Sequence, residues 1–329
     1  MKHITVIGSG SWGTALAVQF HKLGHAVTLW SWKEEEAAAI LRYGEHREFL
    51  PGVPIPPSLR ITTSREEALL EAEIVIAAIP SKFMRSTMLG FAPYFTADQV
   101  LVNVSKGLED VSLYTLDKVL KECAPQCEVA VLSGPSHAEE VGRGVPTAVV
   151  VSAETKETAK MLQAELSGPT FRIYTNPDML GVELGAAFKN IIALAAGISD
   201  GLGFGDNTKA ALMTRGIAEV ARLGQALGAR TETFYGLAGM GDMIVTCCSM
   251  HSRNRRAGIL LGQGVPLEQA LEEVHQVVEG VQNAHAAMQL AERYDVEMPI
   301  TQEMNRVLFE GADPRDAVIT LMCRDKKGE

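Results

Sequence analysis

The stretch "VIGSGSWGTAL", residues 6–16, decides the fold of the first half of the chain. An apolar run over residues 4–7 predicts a buried strand, and small and apolar residues at helical spacing follow the glycines. A G-x-G-x-x-G pattern between a strand and a helix is typical of a loop that binds the pyrophosphate of a dinucleotide. Gly8 permits the tight turn, Gly10 lets backbone amides approach the anion, and Gly13 lets the helix pack closely on the strand.

The composition is that of a folded protein with an acidic surface. The chain has 329 residues, of which 47% are hydrophobic, and a formal net charge of −10 at pH 7. This length allows two domains, each with a core of its own. Because the net charge opposes binding to nucleic acid and to acidic membranes, a bound anion would need a local basic cluster.

The cysteines and the N-terminus indicate a cytoplasmic protein. The five cysteines have no framework spacing, which is typical of reduced thiols, and Cys247, Cys248 and His251 lack the second ligand pair of a structural zinc site. We therefore expect no metal. The first residues lead directly into a predicted strand, so we expect no signal peptide. The sequence has no run of about 18 apolar residues, so we expect no integral membrane segment.

Strands and helices alternate in the first half of the chain and then give way to helices alone. The predicted strands are Ile4–Ile7, Ala26–Trp30, Glu73–Ile79, Val100–Val104, Val129–Leu132 and Thr147–Val151. The predicted helices between them are Ala15–Leu23, Glu34–Tyr43, Arg65–Glu71, Leu113–Glu122 and Lys156–Leu166. This order predicts an α/β fold: a Rossmann-like, doubly wound domain over residues 1–176, with a parallel sheet covered on both faces. Residues 177–329, rich in Ala, Leu, Met and Glu, are expected to form an all-helical domain.

Ligands of such sheets bind outside the carboxyl ends of the strands, and polar loops follow three of the predicted strands. These loops are "AAIPSKF" (77–83), "VNVSKGLE" (102–109) and "VLSGPSHAEE" (131–140). Lys106 is expected to meet a negative charge or a carbonyl oxygen, and the alternative is an ordinary surface lysine. The turn around Gly134 exposes amides to an anion, with Ser136 as the expected helix cap.

The end of the second predicted strand bears on the choice of cofactor. An acid at this point would hold the ribose of NAD, but the stretch here is "WSWK", residues 30–33. Ser31 and Lys33 are expected instead to contact a 2′-phosphate, which favours NADPH over NADH. The alternative is that Lys33 only begins a solvated helix.

The helical half carries a lysine in unusual surroundings. Lys189 and Asn190 interrupt a run of small apolar residues, and Gly185 and Ala193 lie four residues away on either side of the lysine. Since apolar surroundings disfavour the charged form of a lysine, Lys189 is a candidate proton carrier. The alternative is a side chain that extends to the surface.

A basic helix start follows further along the chain. Asp242 lies in a glycine-rich turn, and the stretch "SRNRR" over residues 252–256 then offers a hydroxyl, an amide and three guanidinium groups. A helix N-terminus with planar bidentate donors is typical of a phosphate site. The alternative, a solvated basic face, is less expected in an acidic protein.

The motifs taken together resemble a known family over essentially the whole chain. "VIGSGSWGTALA", "VSKGLE", "SGPSHAEEV", "ELGAAFKNIIALAAGISDGLGFGDN", "GMGDMIVTCCSMHSRNRR" and "VVEGV" fall in order and at the separations of the bacterial-type NAD(P)-dependent glycerol-3-phosphate dehydrogenases. The resemblance implies reduction of dihydroxyacetone phosphate to sn-glycerol 3-phosphate for phospholipid synthesis, and a homodimer formed through the helical domain.

The resemblance also implies roles for individual residues. Lys189 is the implied proton carrier, and Lys106 a second catalytic residue beside the nicotinamide. The implied substrate contacts are Lys106, Gly134, Ser136, Lys189, Asp242, Ser252, Arg253 and Asn254. The implied cofactor contacts are Gly8, Gly10, Ser11, Trp12, Gly13, Trp32, Lys33, Lys106, Ala138, Arg253, Val277 and Glu279. Position 32 departs from the family pattern, since relatives often carry His or Arg there.

Three other functions fit parts of the sequence. A two-domain dehydrogenase acting on a hydroxy acid or an unphosphorylated ketone has the same architecture, but needs fewer donors than "SRNRR" supplies. A protein that senses NAD(P)H without turnover has no use for both Lys106 and Lys189. A methyltransferase with a similar glycine loop needs no second, lysine-bearing helical domain.

Overall fold

The computed structural model describes residues 1–275, 277–326 and 328. The chain divides into two compact units, Met1–Glu183 and Leu184–Glu329. The predicted domain boundary after residue 176 lies between the last strand, which ends at Thr175, and a helix that begins at Met179. That boundary stays a prediction.

The first unit is built on an eight-stranded sheet. Its strand order is β10-β9-β8-β7-β6-β1-β2-β5, and a separate hairpin pairs β3 with β4. The strands are β1 (His3–Ile7), β2 (Ala26–Trp30), β3 (Glu45–His46), β4 (Leu50–Pro54), β5 (Arg60–Thr62), β6 (Ile74–Ala77), β7 (Val100–Asn103), β8 (Glu128–Ser133), β9 (Thr147–Ala153) and β10 (Phe171–Thr175). This confirms the Rossmann-like α/β fold.

Helices cover both faces of the sheet, because its central strands are apolar on both sides. In β6, Ile74 and Ile76 belong to one buried core, and Val75 and Ala77 belong to the other. Alternate side chains of a strand point to opposite faces, so a continuous apolar run serves two layers of helices. The helices of this unit are α1 (Ser11–Lys22), α2 (Glu34–Tyr43), α3 (Arg65–Leu69), α4 (Met84–Phe91), α5 (Leu116–Cys123), α6 (Ala138–Arg143) and α7 (Lys156–Leu166).

One strand pair differs from the expected parallel sheet. β8 and β9 are antiparallel, whereas all other neighbours in the sheet are parallel. A parallel connection must carry the chain back along the whole length of a strand, about 20 Å for six residues. The connecting helix α6 has six residues, which span only about 9 Å. The next strand therefore runs back in the opposite direction.

Helices are the only regular secondary structure of the second unit in the part that the structure describes. Its helices are α8 (Met179–Gly201), which begins before the unit boundary, α9 (Asp206–Ala226), α10 (Thr231–Phe234), α11 (Asp242–Cys248), α12 (Arg253–Gly262), α13 (Leu267–Val274), α14 (Glu279–Arg293), α15 (Pro299–Phe309) and α16 (Pro314–Met322). α8 is long and apolar enough to cross a membrane by length and composition alone, and 89% of its most apolar window is buried inside the protein.

Four glycines, Gly197 and Gly201 on α8 and Gly258 and Gly262 on α12, bring the two helices into backbone contact. A Cβ on Gly197 would overlap the carbonyl oxygen of Arg255, and a Cβ on Gly258 would overlap that of Leu194. Only glycine permits so close an approach of two helices. α12 is thereby held against the last third of α8.

Candidate active site

The glycine loop has the geometry that a dinucleotide requires. Gly8 has φ +112°, and a Cβ there would overlap the carbonyl oxygen of Ala78, whereas a Cβ on Gly13 would overlap the carbonyl of Gly8. At Gly10 no heavy atom lies within 4 Å of the Cβ position, so this part of the loop is open. α1 begins at Ser11 with no side chain capping its first amides. Those amides fit a pyrophosphate.

A second cluster lies at the carboxyl ends of β7 and β8. The Lys106 ammonium donates to the carbonyl of Gly134 over 3.2 Å, and the Ser136 hydroxyl donates to the same oxygen over 3.0 Å. The Trp12 indole donates to the carbonyl of Val104 over 3.2 Å, which ties this cluster to the start of α1. Lys106 from one predicted loop is therefore a neighbour of Gly134 and Ser136 from another.

The expected helix cap in this cluster is wrong. The N-cap of α6 is His137, and Ala138 is the first residue of the helix. The hydroxyl of Ser136 is used within its own turn, where it donates to the carbonyl of Gly134 over 3.0 Å. Gly134 has φ +145°, a conformation that glycine adopts without strain.

A buried amide positions the loop that carries Lys106, and the sequence analysis missed it. The Asn103 side chain accepts from the Ser105 amide over 2.9 Å and donates to the Glu183 carboxylate over 2.6 Å. Glu183 also accepts from the Leu116 amide over 2.6 Å, so it caps α5. Burial, reinforced by the neighbouring Asp117, raises the pKa of Glu183 well above its ordinary range. The available signal was an asparagine that ends an apolar strand.

Lys189 is buried together with a carboxylate. Its ammonium lies 2.7 Å from Asp242 Oδ1 and donates to Thr246 Oγ1 over 2.5 Å. Only 4% of Lys189 and 1% of Asp242 is exposed. The alternative of a lysine that extends to the surface is therefore wrong. The sequence had placed these two residues in separate motifs, and the fold pairs them because α11 begins at Asp242.

At the basic start of α12, Ser252 and Arg255 form hydrogen bonds within the protein, whereas Arg253 does not bond to any described residue. Ser252 caps α12 by accepting from the Arg255 amide over 3.1 Å. The Arg255 guanidinium donates to Asp200 over 2.8 Å and to the carbonyl of Cys248 over 2.8 Å. Arg253, the first residue of α12, makes no hydrogen bond or ion pair with any residue in the described ranges. Of these two arginines, Arg253 is thus the one left to meet an anion.

Asn254 and Asn190 form a buried link between three helices. Asn254 donates to Asn190 Oδ1 over 2.9 Å and accepts from the Gly280 amide over 2.8 Å. Asn190 follows Lys189 on α8, and Gly280 lies in the first turn of α14. This link holds the start of α12 beside the helix that carries the lysine.

The end of β2 differs from the expected phosphate contact. Ser31 is fully buried, and its hydroxyl donates to Glu36 over 2.8 Å. Of the two residues expected at a 2′-phosphate, only Lys33 is exposed, and its ammonium lies 4.6 Å from the centre of the exposed Trp32 ring. Sequence reasoning missed Glu36, since it considered only the strand end.

Comparison with known proteins supplies the family. The model of the NAD-dependent glycerol-3-phosphate dehydrogenase N-terminus matches residues 3–159, and that of the C-terminus matches residues 178–319. This chain belongs to the NAD-dependent glycerol-3-phosphate dehydrogenase family.

Individual members of the family match over nearly the full length. A glycerol-3-phosphate dehydrogenase [NAD(P)+] of Fusobacterium nucleatum is 52% identical, over 100% of this chain and 99% of that protein. One of Desulfitobacterium hafniense is 54% identical, over 100% of this chain and 93% of that protein. The crystal structure of glycerol-3-phosphate dehydrogenase from Coxiella burnetii has a TM-score of 0.94 at 38% identity, covering 98% of this chain and 99% of that one.

Of the remaining residues implied by the family pattern, Ala138 is the first residue of α6, Val277 is exposed, and Glu279 is the first residue of α14. Within the described ranges of this family member, no group of three or more His, Cys, Asp or Glu side chains is arranged to hold a metal ion.

Proposed function

We propose that this protein reduces dihydroxyacetone phosphate to sn-glycerol 3-phosphate with NADH or NADPH and so supplies glycerophospholipid synthesis. The observation that carries this proposal is the Lys189 ammonium, buried and held by Asp242 and Thr246 in a member of the glycerol-3-phosphate dehydrogenase family. Burying an ion pair removes water from both charges, and the attraction between them only partly offsets that cost. A lysine buried with a carboxylate in this way is therefore a candidate for a chemical task.

The glycine loop and the start of α1 bind the pyrophosphate of the cofactor, with Ser11 and Trp12 beside it. When bound, the reduced nicotinamide supplies a hydride to the carbonyl carbon of the substrate. Negative charge then develops on the carbonyl oxygen. Lys189 Nζ stabilises that oxygen and donates a proton to it, while Asp242 keeps the lysine charged beforehand. Proton uptake from solvent restores the ammonium.

The phosphate of the substrate is held apart from the reacting carbon. Arg253 and the capped start of α12 supply a guanidinium group and helix amides, which suit a phosphate. Binding energy from this remote group orients the ketone for the reaction. Asn254 contributes by holding the start of α12 in place.

Lys106 is the proposed second catalytic residue and a contact of both substrate and cofactor. Its ammonium is held by the Gly134 carbonyl, next to the Ser136 hydroxyl, so this cluster offers a cation and a hydroxyl on one turn. The other proposed cofactor contacts are Trp32, Lys33, Ala138, Arg253, Val277 and Glu279.

The two parts of the chain have separate tasks in this proposal. Residues 1–176 bind the dinucleotide, and residues 177–329 bind and protonate the substrate. The protein acts in the cytoplasm as a homodimer formed through its helical domain. Size-exclusion chromatography with light scattering tests the dimer.

The activity is tested by following loss of absorbance of NADH or NADPH with dihydroxyacetone phosphate, and with dihydroxyacetone as the matched control without phosphate. We expect fast oxidation that requires the phosphate ester, and an increase in KM for that ester in Arg253→Ala. Equal rates with both ketones favour a dehydrogenase of unphosphorylated substrates. Binding of both cofactors without oxidation favours the sensor and defeats the proposal.

A further inference from the structure

Glu36 places a carboxylate against the glycine loop. It lies in the first turn of α2, and only 13% of its side chain is exposed. The hydroxyl of Ser9, the residue between Gly8 and Gly10, donates to Glu36 Oε1. The hydroxyl of Ser31, directly after β2, donates to the same oxygen over 2.8 Å. The carboxylate is thus fixed at the point where the phosphate loop and the end of β2 meet.

This point has a defined chemistry in doubly wound folds. An acidic side chain about 20 residues beyond the glycine loop holds the ribose hydroxyls of NAD, whereas a basic one accommodates the 2′-phosphate of NADP. Glu36 lies farther along the chain than a strand-end acid. Its contacts with Ser9 and Ser31 nevertheless bring the carboxylate back to the strand end.

The Glu36 carboxylate is ionised, and one of its two oxygens accepts no hydrogen bond from the described residues. Burial works to raise the pKa of Glu36, but the nearby His46 imidazole and the hydrogen bonds from Ser9 and Ser31 outweigh it and hold the pKa below its ordinary value. Both serine hydroxyls bind Oε1, and in the described part of the chain no donor binds Oε2.

We propose that Glu36 determines the cofactor preference by accepting a hydrogen bond from the 2′-hydroxyl of the adenosine ribose and repelling a 2′-phosphate. The protein then prefers NADH over NADPH, although Lys33 lies nearby. This inference rests on the proposed function, because it concerns the nucleotide that the glycine loop binds.

The test is direct nucleotide binding, measured without turnover by the fluorescence of NADH and NADPH. Glu36→Gln removes the charge and keeps the size of the side chain, and its matched control is Glu35→Gln on the exposed side of the same helix turn. We expect Glu36→Gln to tighten NADPH about tenfold and weaken NADH about fivefold, since a charge is lost at one specific contact. Glu35→Gln should change the ratio of the two Kd values less than twofold, because an exposed charge is screened.

The wild-type protein gives a second readout that does not depend on a variant. Its Kd for NADH should be lower than its Kd for NADPH, and 5′-AMP should displace NADH more effectively than 2′,5′-ADP does. A wild type that prefers NADPH, or a Glu36→Gln variant that changes both cofactors equally, overturns the inference. A wild type that binds neither nucleotide defeats the proposed function itself.

Discussion

The Lys189–Asp242 pair can be broken from one side by Asp242→Asn. This change keeps the size of the side chain and removes the Asp242 charge from beside the buried ammonium. Two unit charges 2.7 Å apart attract by about 6 kcal/mol at an effective dielectric of about 20. Part of this is already spent on desolvation, and the loss of one partner from a buried pair costs about 3–5 kcal/mol. We therefore expect the free energy of unfolding to fall by about 4 kcal/mol.

A double-mutant cycle separates this pairing from general damage. Lys189→Met alone leaves the buried Asp242 carboxylate, while Lys189→Met with Asp242→Asn removes both charges of the pair. The double variant should be more stable than the sum of the single effects by about 3 kcal/mol. Asp206→Asn is the matched control, since Asp206 also begins a helix of the same unit but is exposed. That control should lose no more than about 1 kcal/mol.

Urea unfolding followed by circular dichroism measures all four free energies. Single effects that add within about 0.5 kcal/mol would contradict this expectation, because they would mean that the two charges do not stabilise each other. A control as destabilised as Asp242→Asn would refute it as well, because the loss would then reflect the helix start.

Three further perturbations follow from the same structure. Gly13→Ala should abolish nucleotide binding and lower stability by about 2 kcal/mol, because its methyl group meets the Gly8 carbonyl; Gly10→Ala, in open space, should weaken nucleotide binding but keep wild-type urea stability. Glu183→Gln tests a buried carboxyl whose pKa is raised above its ordinary 4.5. Between that value and the higher folded-state pKa, the folded state retains a proton that the unfolded state loses. Raising the pH through this range should therefore lower the unfolding free energy of the wild type by up to about 1.4 kcal/mol per pH unit relative to the variant; a stability difference that does not change with pH would contradict this. Arg253→Ala should raise KM for dihydroxyacetone phosphate about a hundredfold; an unchanged KM would contradict it.

The central strands of the sheet could be predicted from the sequence, but its edge strands could not. β6 and β7 are predicted by apolar runs because both of their faces are buried. The edge strands β5 and β10 are partly exposed and lack that signal. β4 contains prolines, which disfavour a strand in any prediction. The reversal at β9 depends on the length of α6, and helix ends are the least predictable feature of a sequence.

The candidate site was predictable residue by residue but not as an arrangement. Lys189 was recognisable because a lysine is rare in an apolar helix, yet its partner Asp242 lies 53 residues away in sequence. The link between Lys106 and Gly134 likewise depends on neighbouring strand ends. Glu36 was missed because its role follows from a side-chain direction and two buried hydroxyls, which no local pattern encodes.

The most direct test of the account is the turnover of Lys189→Ala with dihydroxyacetone phosphate, measured beside its Kd for the reduced cofactor. We predict that kcat falls by about 10³-fold while the Kd stays within about twofold of the wild type. Combining it with Asp242→Asn should restore stability but not turnover, which separates chemistry from folding. A kcat close to that of the wild type, in a variant that binds cofactor normally, would contradict the assignment of Lys189 as the proton carrier.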